Sequence, residues 1–367
     1  MTADDAMHMA RALALAERGR GRTSPNPMVG AIVVDAEGVV VGRGSHERAG
    51  GPHAEVHALA DAGERARGAT LYCTLEPCSH TGRTGPCAPL VVESGIHRAV
   101  IAIPDPNPLV AGRGLAHLRE HGIDVSVGLM GEASARLNAP FFTVMREERP
   151  FVTMKIAISR DGRVAARSGS RTQLTGAVAN RLIHRERAEV DAIAVGSGTI
   201  LTDDPVLTAR GAYRARPLAR VIFDRTLRTS PAARILSTLD AGPIIVMTSE
   251  PVDDGARQRL EALAAAGAQI EFGRESGAGF LPDALRTLAR FGISSLTLEG
   301  GPTLHAAAWA AGIVDRVQIF RTPRTLGDEG VLWLNGRDRL PLDGLRDVTT
   351  VRLGDDEMIE GYVHRPD

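Results

Sequence analysis

The sequence predicts an α/β protein of two consecutive domains, and three observations carry that expectation. The chain has 367 residues, too many for one ordinary domain. Short apolar runs alternate with helical periodicity in both halves, the pattern of sheets covered by helices. Between the halves stands Arg146-Glu147-Glu148-Arg149-Pro150, a charged run closed by proline, after which a new strand begins. Such a segment suits a boundary and divides the chain into domains 1–148 and 149–367.

In the first half, residues 4–19 have helical periodicity and stop at Gly19. Ser24-Pro25-Asn26-Pro27 is a turn. Residues 29–35 and 39–44 are strands joined by Ala36-Glu37-Gly38, hence a hairpin. A helix over 53–66, a strand over 69–74, a helix over 87–94 and a strand over 98–103 follow. Then come a helix over 113–120 closed by Gly122, a strand over 123–127 and one last helix over 132–148. That order predicts a mixed sheet with helices on both faces.

The second half starts with a strand over 151–158 and the tight turn Ser159-Arg160-Asp161-Gly162. It continues with a helix near 176–189 and strands over 191–195, 220–224 and 244–249. Helices over 253–266 and 281–291 come next, then a strand over 295–299, the turn Gly300-Gly301-Pro302 and a helix over 303–311. Strands near 315–321 and 347–364 finish a second α/β domain.

Composition narrows the function classes. A net charge of −1 with no basic run argues against nucleic acid as a partner. The first residues, with Asp4 and Asp5, lack the basic and apolar blocks of a signal peptide. No apolar run approaches membrane-spanning length, so no membrane association is expected. Cys73, Cys78 and Cys87 are odd in number and clustered, which disfavours a disulfide framework and points to a reducing cytoplasm. Lys155 is the only lysine among 43 basic residues. A lysine kept against that bias marks a position needing an ammonium, with chance as the plain alternative.

The chemistry is concentrated in His53-Ala54-Glu55 and the stretch Pro77–Cys87. One imidazole and two thiolates, His53, Cys78 and Cys87, form a three-ligand zinc set with the fourth position open, the catalytic pattern. Helix starts at His53 and Cys87 favour the thiolate form. Zinc so held acidifies a water molecule, and Glu55, too close to His53 to be an easy extra ligand, is placed to shuttle its proton to a leaving ammonia. Glutamate two residues after the histidine and proline before the first cysteine match the signature of zinc-dependent base deaminases. Taken singly, these residues read as a surface histidine and buried thiols; taken together they read as a catalytic site. Cys73 lies in an apolar strand beside Leu71 and Tyr72 and reads as core. The loop between the cysteines is polar and carries His80 and Arg83, suited to an anionic or hydroxylated substrate, or simply to solvent.

These motifs resemble the bifunctional deaminase–reductases of riboflavin biosynthesis. The matching segments are Pro25-Asn26-Pro27-Met28-Val29-Gly30, His53–Leu59, Thr74–Cys87 with its long gap between cysteines, and Asp105-Pro106-Asn107-Pro108 followed by Gly112-Arg113-Gly114. In the second half they are Asp191–Gly196, Thr202–Pro205, Leu207–Arg210 and Glu299–Leu304. The resemblance implies a cytidine-deaminase-like three-layer αβα domain followed by a dihydrofolate-reductase-like α/β domain. It implies hydrolytic deamination of 2,5-diamino-6-(5-phosphoribosylamino)pyrimidin-4-one to 5-amino-6-(5-phosphoribosylamino)uracil, then NADPH-dependent reduction of the ribosyl to the ribityl side chain. A homo-oligomer acting on a small phosphorylated pyrimidine is expected.

By the same resemblance, Zn2+ is held by His53, Cys78 and Cys87, with Glu55 as proton donor. Asn26, His46, His80 and Arg83 hold the substrate's ribose phosphate. Ala157, Gln173, Thr199, Asp203 and the run Gly301 to Ala307, with Pro302, Thr303 and Leu304, line the NADPH site. Lys155, Arg171, Arg187, Leu207, Arg210 and Glu299 contact the reductase substrate. The family's usual Ser-Gln-Trp-Ile-Thr segment reads Arg171-Thr172-Gln173-Leu174-Thr175 here, so four of its five positions depart; among them Arg171 stands for a serine and Gln173 for a tryptophan.

From the residues alone this half is less explicit. No G-x-G-x-x-G run is present, so a Rossmann site is not indicated. Gly300-Gly301-Pro302-Thr303 between strand and helix suits a phosphate, though a plain tight turn has the same composition. Alternatives therefore stay open at this level: a cytidine or RNA deaminase, a zinc-stabilised binding module, or a deaminase with a silent or altered reductase half.

Overall fold

The computed structural model describes residues 2–79, 85–108, 110–335 and 342–365. The chain packs as two compact units, one ending at Glu148 and the next spanning Arg149–Arg365.

The first unit has strands β1 (Gly30–Val34), β2 (Val40–Ser45), β3 (Thr70–Cys73), β4 (Arg98–Ile101) and β5 (Asp124–Val127). Its helices are α1 (Ala3–Ala16), α2 (Ala54–Ala62), α3 (Cys87–Glu93), α4 (Arg113–Glu120), α5 (Gly131–Leu137) and α6 (Ala139–Glu147). Sheet order is β2-β1-β3-β4-β5. Strand β1 is antiparallel to both its neighbours, and β3, β4 and β5 are parallel. The period of two along each strand builds the layers. Ala31, Val33, Leu71 and Ile101 share a core with Ala58, Val91 and Leu118 of α2, α3 and α4. Ile32, Tyr72 and Val100 pack with Met9 and Ala12 of α1 in a second core.

The single helix expected over 132–148 is two helices. Asn138 has non-helical backbone (φ −103°, ψ 18°) and Pro140 opens the second of them. The Asn138 side chain explains the break. Its Oδ1 accepts from Met28 N at 2.7 Å and its Nδ2 donates to Met28 O at 2.9 Å. A tertiary clamp on the Pro25–Met28 turn thus overrides helical continuity.

The second unit has a sheet of nine strands, in order β11-β10-β9-β8-β12-β6-β13-β16-β15. These are β6 (Phe151–Ile158), β8 (Ala192–Gly196), β9 (Ala219–Phe223), β10 (Ile244–Thr248), β11 (Gln269–Phe272), β12 (Ser295–Gly300), β13 (Arg316–Arg321), β15 (Arg346–Leu353) and β16 (Asp356–Tyr362). Strands β7 (Arg163–Ala165) and β14 (Val331–Leu332) form a separate pair. All pairings from β11 to β13 are parallel, and β16 and β15 close the edge as an antiparallel hairpin. Its helices are α7 (Ala177–Glu189), α8 (Ser197–Asp203), α9 (Asp254–Ala265), α10 (Phe280–Arg290) and α11 (Pro302–Ala310).

Strands β8 and β10 are buried along nearly their whole length, on both faces, which is why they read as continuous apolar runs. Met154, Ala194, Val221 and Leu298 pack with Leu285 and Leu288 of α10 and Ala308 of α11. Ile193, Val195 and Val246 pack with Leu263 of α9 and Ile200 of α8.

Several elements of the second unit differ from the sequence expectation, which also lacked the short pair β7 and β14. Helix α8 was not expected, because Ser197-Gly198-Thr199 disfavours a helix. Strand β11 is a short edge strand with a weak signal. The segment 347–364 is a hairpin turned at Gly354, whose φ of +72° favours glycine.

Candidate functional site

His53 is the N-cap residue of α2, in extended backbone, and Cys87 is the first residue of α3. Cys78 comes from the loop after β3, and its carbonyl accepts from Ala88 N at 3.0 Å. His53 Nδ1 lies 3.5 Å from Cys78 Sγ and 3.3 Å from Cys87 Sγ, and the three ligand atoms all lie within 4.8 Å of one another. Tetrahedral zinc with its nitrogen and sulfur ligands at ordinary bond lengths has N···S edges of roughly 3.5 Å, so this set fits zinc. The hydrogen bond with Cys87 holds the Cys78 thiol down, to about 4, while the same contact and burial push Cys87 up. Hydrogen bonding to Cys78 pushes the His53 imidazole up. Cys73 is fully buried in the apolar core, and burial pushes its thiol up, as its reading as core requires.

Glu55 is 3% exposed. Burial pushes its carboxyl up to about 7, against the pull of His53. A carboxyl near neutrality both takes and returns a proton with little driving force lost.

A cavity of about 330 Å³ opens on this cluster, with Asn26, His46, His53, Glu55, Asp105 and Asn107 in its wall. His46 Nδ1 lies 3.0 Å from the Pro52 carbonyl, which only accepts. Nδ1 therefore carries the proton, and Nε2 accepts from Asn26 Nδ2 at 3.3 Å. That tautomer points Asn26 Oδ1 away from the imidazole. Burial also pushes His46 down, which keeps it neutral.

Glu76 organises the opposite wall. Its buried carboxylate accepts from the backbone N–H groups of Asp105 (3.1 Å), Gly112 (3.0 Å), Gly114 (2.9 Å) and Leu115 (3.3 Å). One side chain thus caps α4, which Gly112 cannot cap, and fixes the Asp105–Asn107 loop. Burial pushes the Asp105 carboxyl up to about 6. The start of α4 reaches this position only because Gly114 is bare: a Cβ there would sit 1.9 Å from Pro77 O. Gly114→Ala is expected to cost about 1–3 kcal/mol of stability. By displacing Pro77 and Cys78 it should also reduce zinc per chain; denaturant titration and metal analysis check both.

In the second unit a buried charge cluster gathers around Glu299 at the end of β12. Arg187 on α7 donates from Nε and Nη2 to the two carboxylate oxygens, each at 2.7 Å. Lys155 Nζ on β6 lies 3.9 Å from Oε2 and 5.6 Å from the Phe320 ring centroid. Burial pushes the Glu299 carboxyl up, but Arg187 and Lys155 outweigh it and hold it at about 2. Burial pushes the Lys155 ammonium down.

The turn Gly300-Gly301 leads into α11 with Pro302 at its first position and Gly301 at φ +74°. A Cβ on Gly300 would meet Thr199 Oγ1 at 2.8 Å. A bare turn at a helix start, with a hydroxyl beside it, fits the pyrophosphate of NADPH.

Other expected site residues fall unevenly around these features. Ala157 lies on β6, and Asp203 ends α8, its carboxyl raised by burial and partly lowered by the Arg171 charge. Leu207 is buried and Arg210 exposed. Gln173 turns back on its own loop, Nε2 donating to Thr175 O at 3.1 Å, and its carbonyl accepts from Arg324. His80 and Arg83 lie outside the described residues. Sequence reasoning assigned no site role to Glu76, Asp105, Asn107 or His184. The available signal was the uncapped glycine-rich start of α4, which requires an acceptor from elsewhere.

Two family models match the chain. Residues 2–103 match the cytidine and deoxycytidylate deaminase zinc-binding region, and residues 150–356 match the RibD C-terminal domain. Riboflavin biosynthesis protein RibD of Aquifex aeolicus is 41% identical over 325 residues, 88% of each chain. The Escherichia coli protein of the same name is 40% identical over 350 residues, 92% of this chain and 93% of its own. Among solved structures, Acinetobacter baumannii RibD superposes with a TM-score of 0.86 at 35% identity, covering 98% of both chains. A Thermotoga maritima diaminohydroxyphosphoribosylaminopyrimidine deaminase/5-amino-6-(5-phosphoribosylamino)uracil reductase does so with a TM-score of 0.82 at 32% identity and the same coverage. The chain belongs to the RibD family, bifunctional enzymes of riboflavin biosynthesis that join a zinc-dependent deaminase to an NADPH-dependent reductase.

Proposed function

We propose that residues 1–148 deaminate 2,5-diamino-6-(5-phosphoribosylamino)pyrimidin-4-one and that residues 149–367 reduce the ribosyl chain of the product. The observation that carries the first assignment is the zinc-compatible triad His53, Cys78 and Cys87 on the wall of a cavity that also holds Glu55. Bound zinc supplies the acidification of a water molecule. Glu55 takes the proton of that water and returns it to the leaving amino group. Asn26, oriented by His46, holds the ribose phosphate side of the substrate. His80 and Arg83 contribute to the phosphate side.

In the second half, NADPH supplies the hydride. Gly301, Pro302, Thr303 and Leu304 with Thr199, Asp203, Ala157 and Gln173 hold the cofactor. Arg187 and Glu299 form one rigid ion pair. Beside it Lys155 meets the ribityl chain, and Arg210, Arg171 and Leu207 meet the rest of the substrate. Free cysteines and the net charge of −1 support a cytoplasmic enzyme of small molecules with no nucleic-acid partner. No described helix is long and apolar enough to cross a membrane. A homo-oligomer is expected on the family resemblance, and light scattering reads it.

One coupled assay tests both halves. The diaminopyrimidinone phosphate should release ammonia without NADPH, and NADPH absorbance should fall only after that release. Ammonia with no NADPH consumption would sink the assignment of the second half. Cys87→Ala is expected to strip zinc and ammonia release together while leaving NADPH oxidation on the deaminated substrate intact. Metal analysis beside the two rates checks it.

A further inference from the structure

We propose that His184 is a positioning residue for the reduction, holding the Arg210 guanidinium where it meets the substrate's phosphate. The inference rests on the reading of Arg210 as a phosphate contact. His184 and Arg187 stand one turn apart on α7, and the Thr208 carbonyl is within reach of both, 3.1 Å from His184 Nδ1 and 3.1 Å from Arg187 Nη1. Arg210 Nη2 lies 3.2 Å from His184 Nε2. A guanidinium has donors only, so that contact requires Nε2 without its proton. The proton then sits on Nδ1, facing the Thr208 carbonyl. The Arg210 backbone N–H also points at Nδ1, at 3.1 Å; with the proton on Nδ1 both groups are donors, so this approach adds no hydrogen bond to the brace.

Arg210 is exposed, and a free arginine side chain carries about 2 kcal/mol of rotamer entropy. Holding one Nη2 on His184 lowers that cost and leaves the remaining donors for a phosphate oxygen pair. The charged groups facing the imidazole are Arg187, Arg210 and Glu299. Burial and the two arginines push its pKa down, which keeps Nε2 an acceptor. Through Thr208 and Arg187 the same brace reaches Glu299, so the exposed arginine is tied to the buried cluster.

The test uses full-length enzyme, NADPH oxidation, and deaminated substrate with and without its phosphate. His184→Leu should raise KM about tenfold for the phosphorylated substrate with kcat within twofold, and should leave the dephosphorylated substrate unaffected. His184→Gln, whose Oε1 accepts from Nη2, should recover part of the loss. In an Arg210→Met background His184→Leu should add nothing, the signature of two residues acting as one unit. If Arg210→Met leaves KM unchanged, the phosphate reading of Arg210 is wrong. If it raises KM but His184→Leu does not, or the two effects add in full, the positioning role is wrong. Should His184→Leu not fold, the His184→Gln variant in both backgrounds completes the same cycle, with ammonia release as the folding control.

Discussion

Glu55→Gln is expected to lower ammonia release by about 10²–10⁴-fold while zinc content and NADPH oxidation on the deaminated substrate stay at wild-type levels. The carboxyl is 3% exposed, and glutamine preserves its size. What glutamine removes is the capacity to take a proton and give it back. Because Glu55 is not one of the three clustered ligands, metal should be retained, which separates loss of proton transfer from loss of the site. Ammonia release within tenfold of wild type would show that another group carries the proton.

Glu299→Ala is expected to destabilise the second unit by about 3–5 kcal/mol, because it leaves Arg187 buried without its partner. Thermal unfolding of that unit should shift down by roughly 10 °C, and NADPH oxidation should fall with it. The pair Arg187→Met with Glu299→Leu separates stability from function. Replacing both charges by apolar side chains of similar volume is often neutral for stability, but Lys155 also loses its carboxylate neighbour, so thermal unfolding should recover in part while reduction should not. The charge pair also sets an acid limit. Glu299 titrates at about 2 in the folded chain, against an ordinary value of 4.5. Its stabilising contribution is therefore complete above pH of about 5 and is lost as pH falls towards 2. Chemical denaturation at stepped pH reads that slope, which should vanish in the double variant. A slope that survives in the double variant would place the acid sensitivity elsewhere.

The residues that do local chemistry were legible in the sequence. His53, Glu55, Cys78 and Cys87 announce themselves by spacing, because ligands placed at helix starts are read directly from where apolar periodicity begins. The inner parallel strands of the second unit were legible for a related reason, since burial on both faces leaves apolar runs such as Ile244–Thr248; the edge strand Gln269–Phe272 was not. The misses that involve long-range polar contacts share one cause. Asn138 breaks a helix because it clamps Met28, 110 residues away. Glu76 braces a loop and a helix start 29 to 39 residues downstream. Arg187 meets Glu299 across 112 residues.

The sequence by itself indicated the two-part α/β architecture and picked out His53, Cys78 and Cys87, which the fold brings together, and Glu55, which lines the same cavity. These follow from local periodicity and from ligand chemistry at short range. Only the tertiary structure decided that Glu76 accepts from the Asp105 loop and the start of α4, that His46 contacts Asn26, and that His184 and Arg187 both reach the Thr208 carbonyl. The physical reason is that a buried polar group must find its partner wherever the fold places one, and no local pattern records which distant residue that will be.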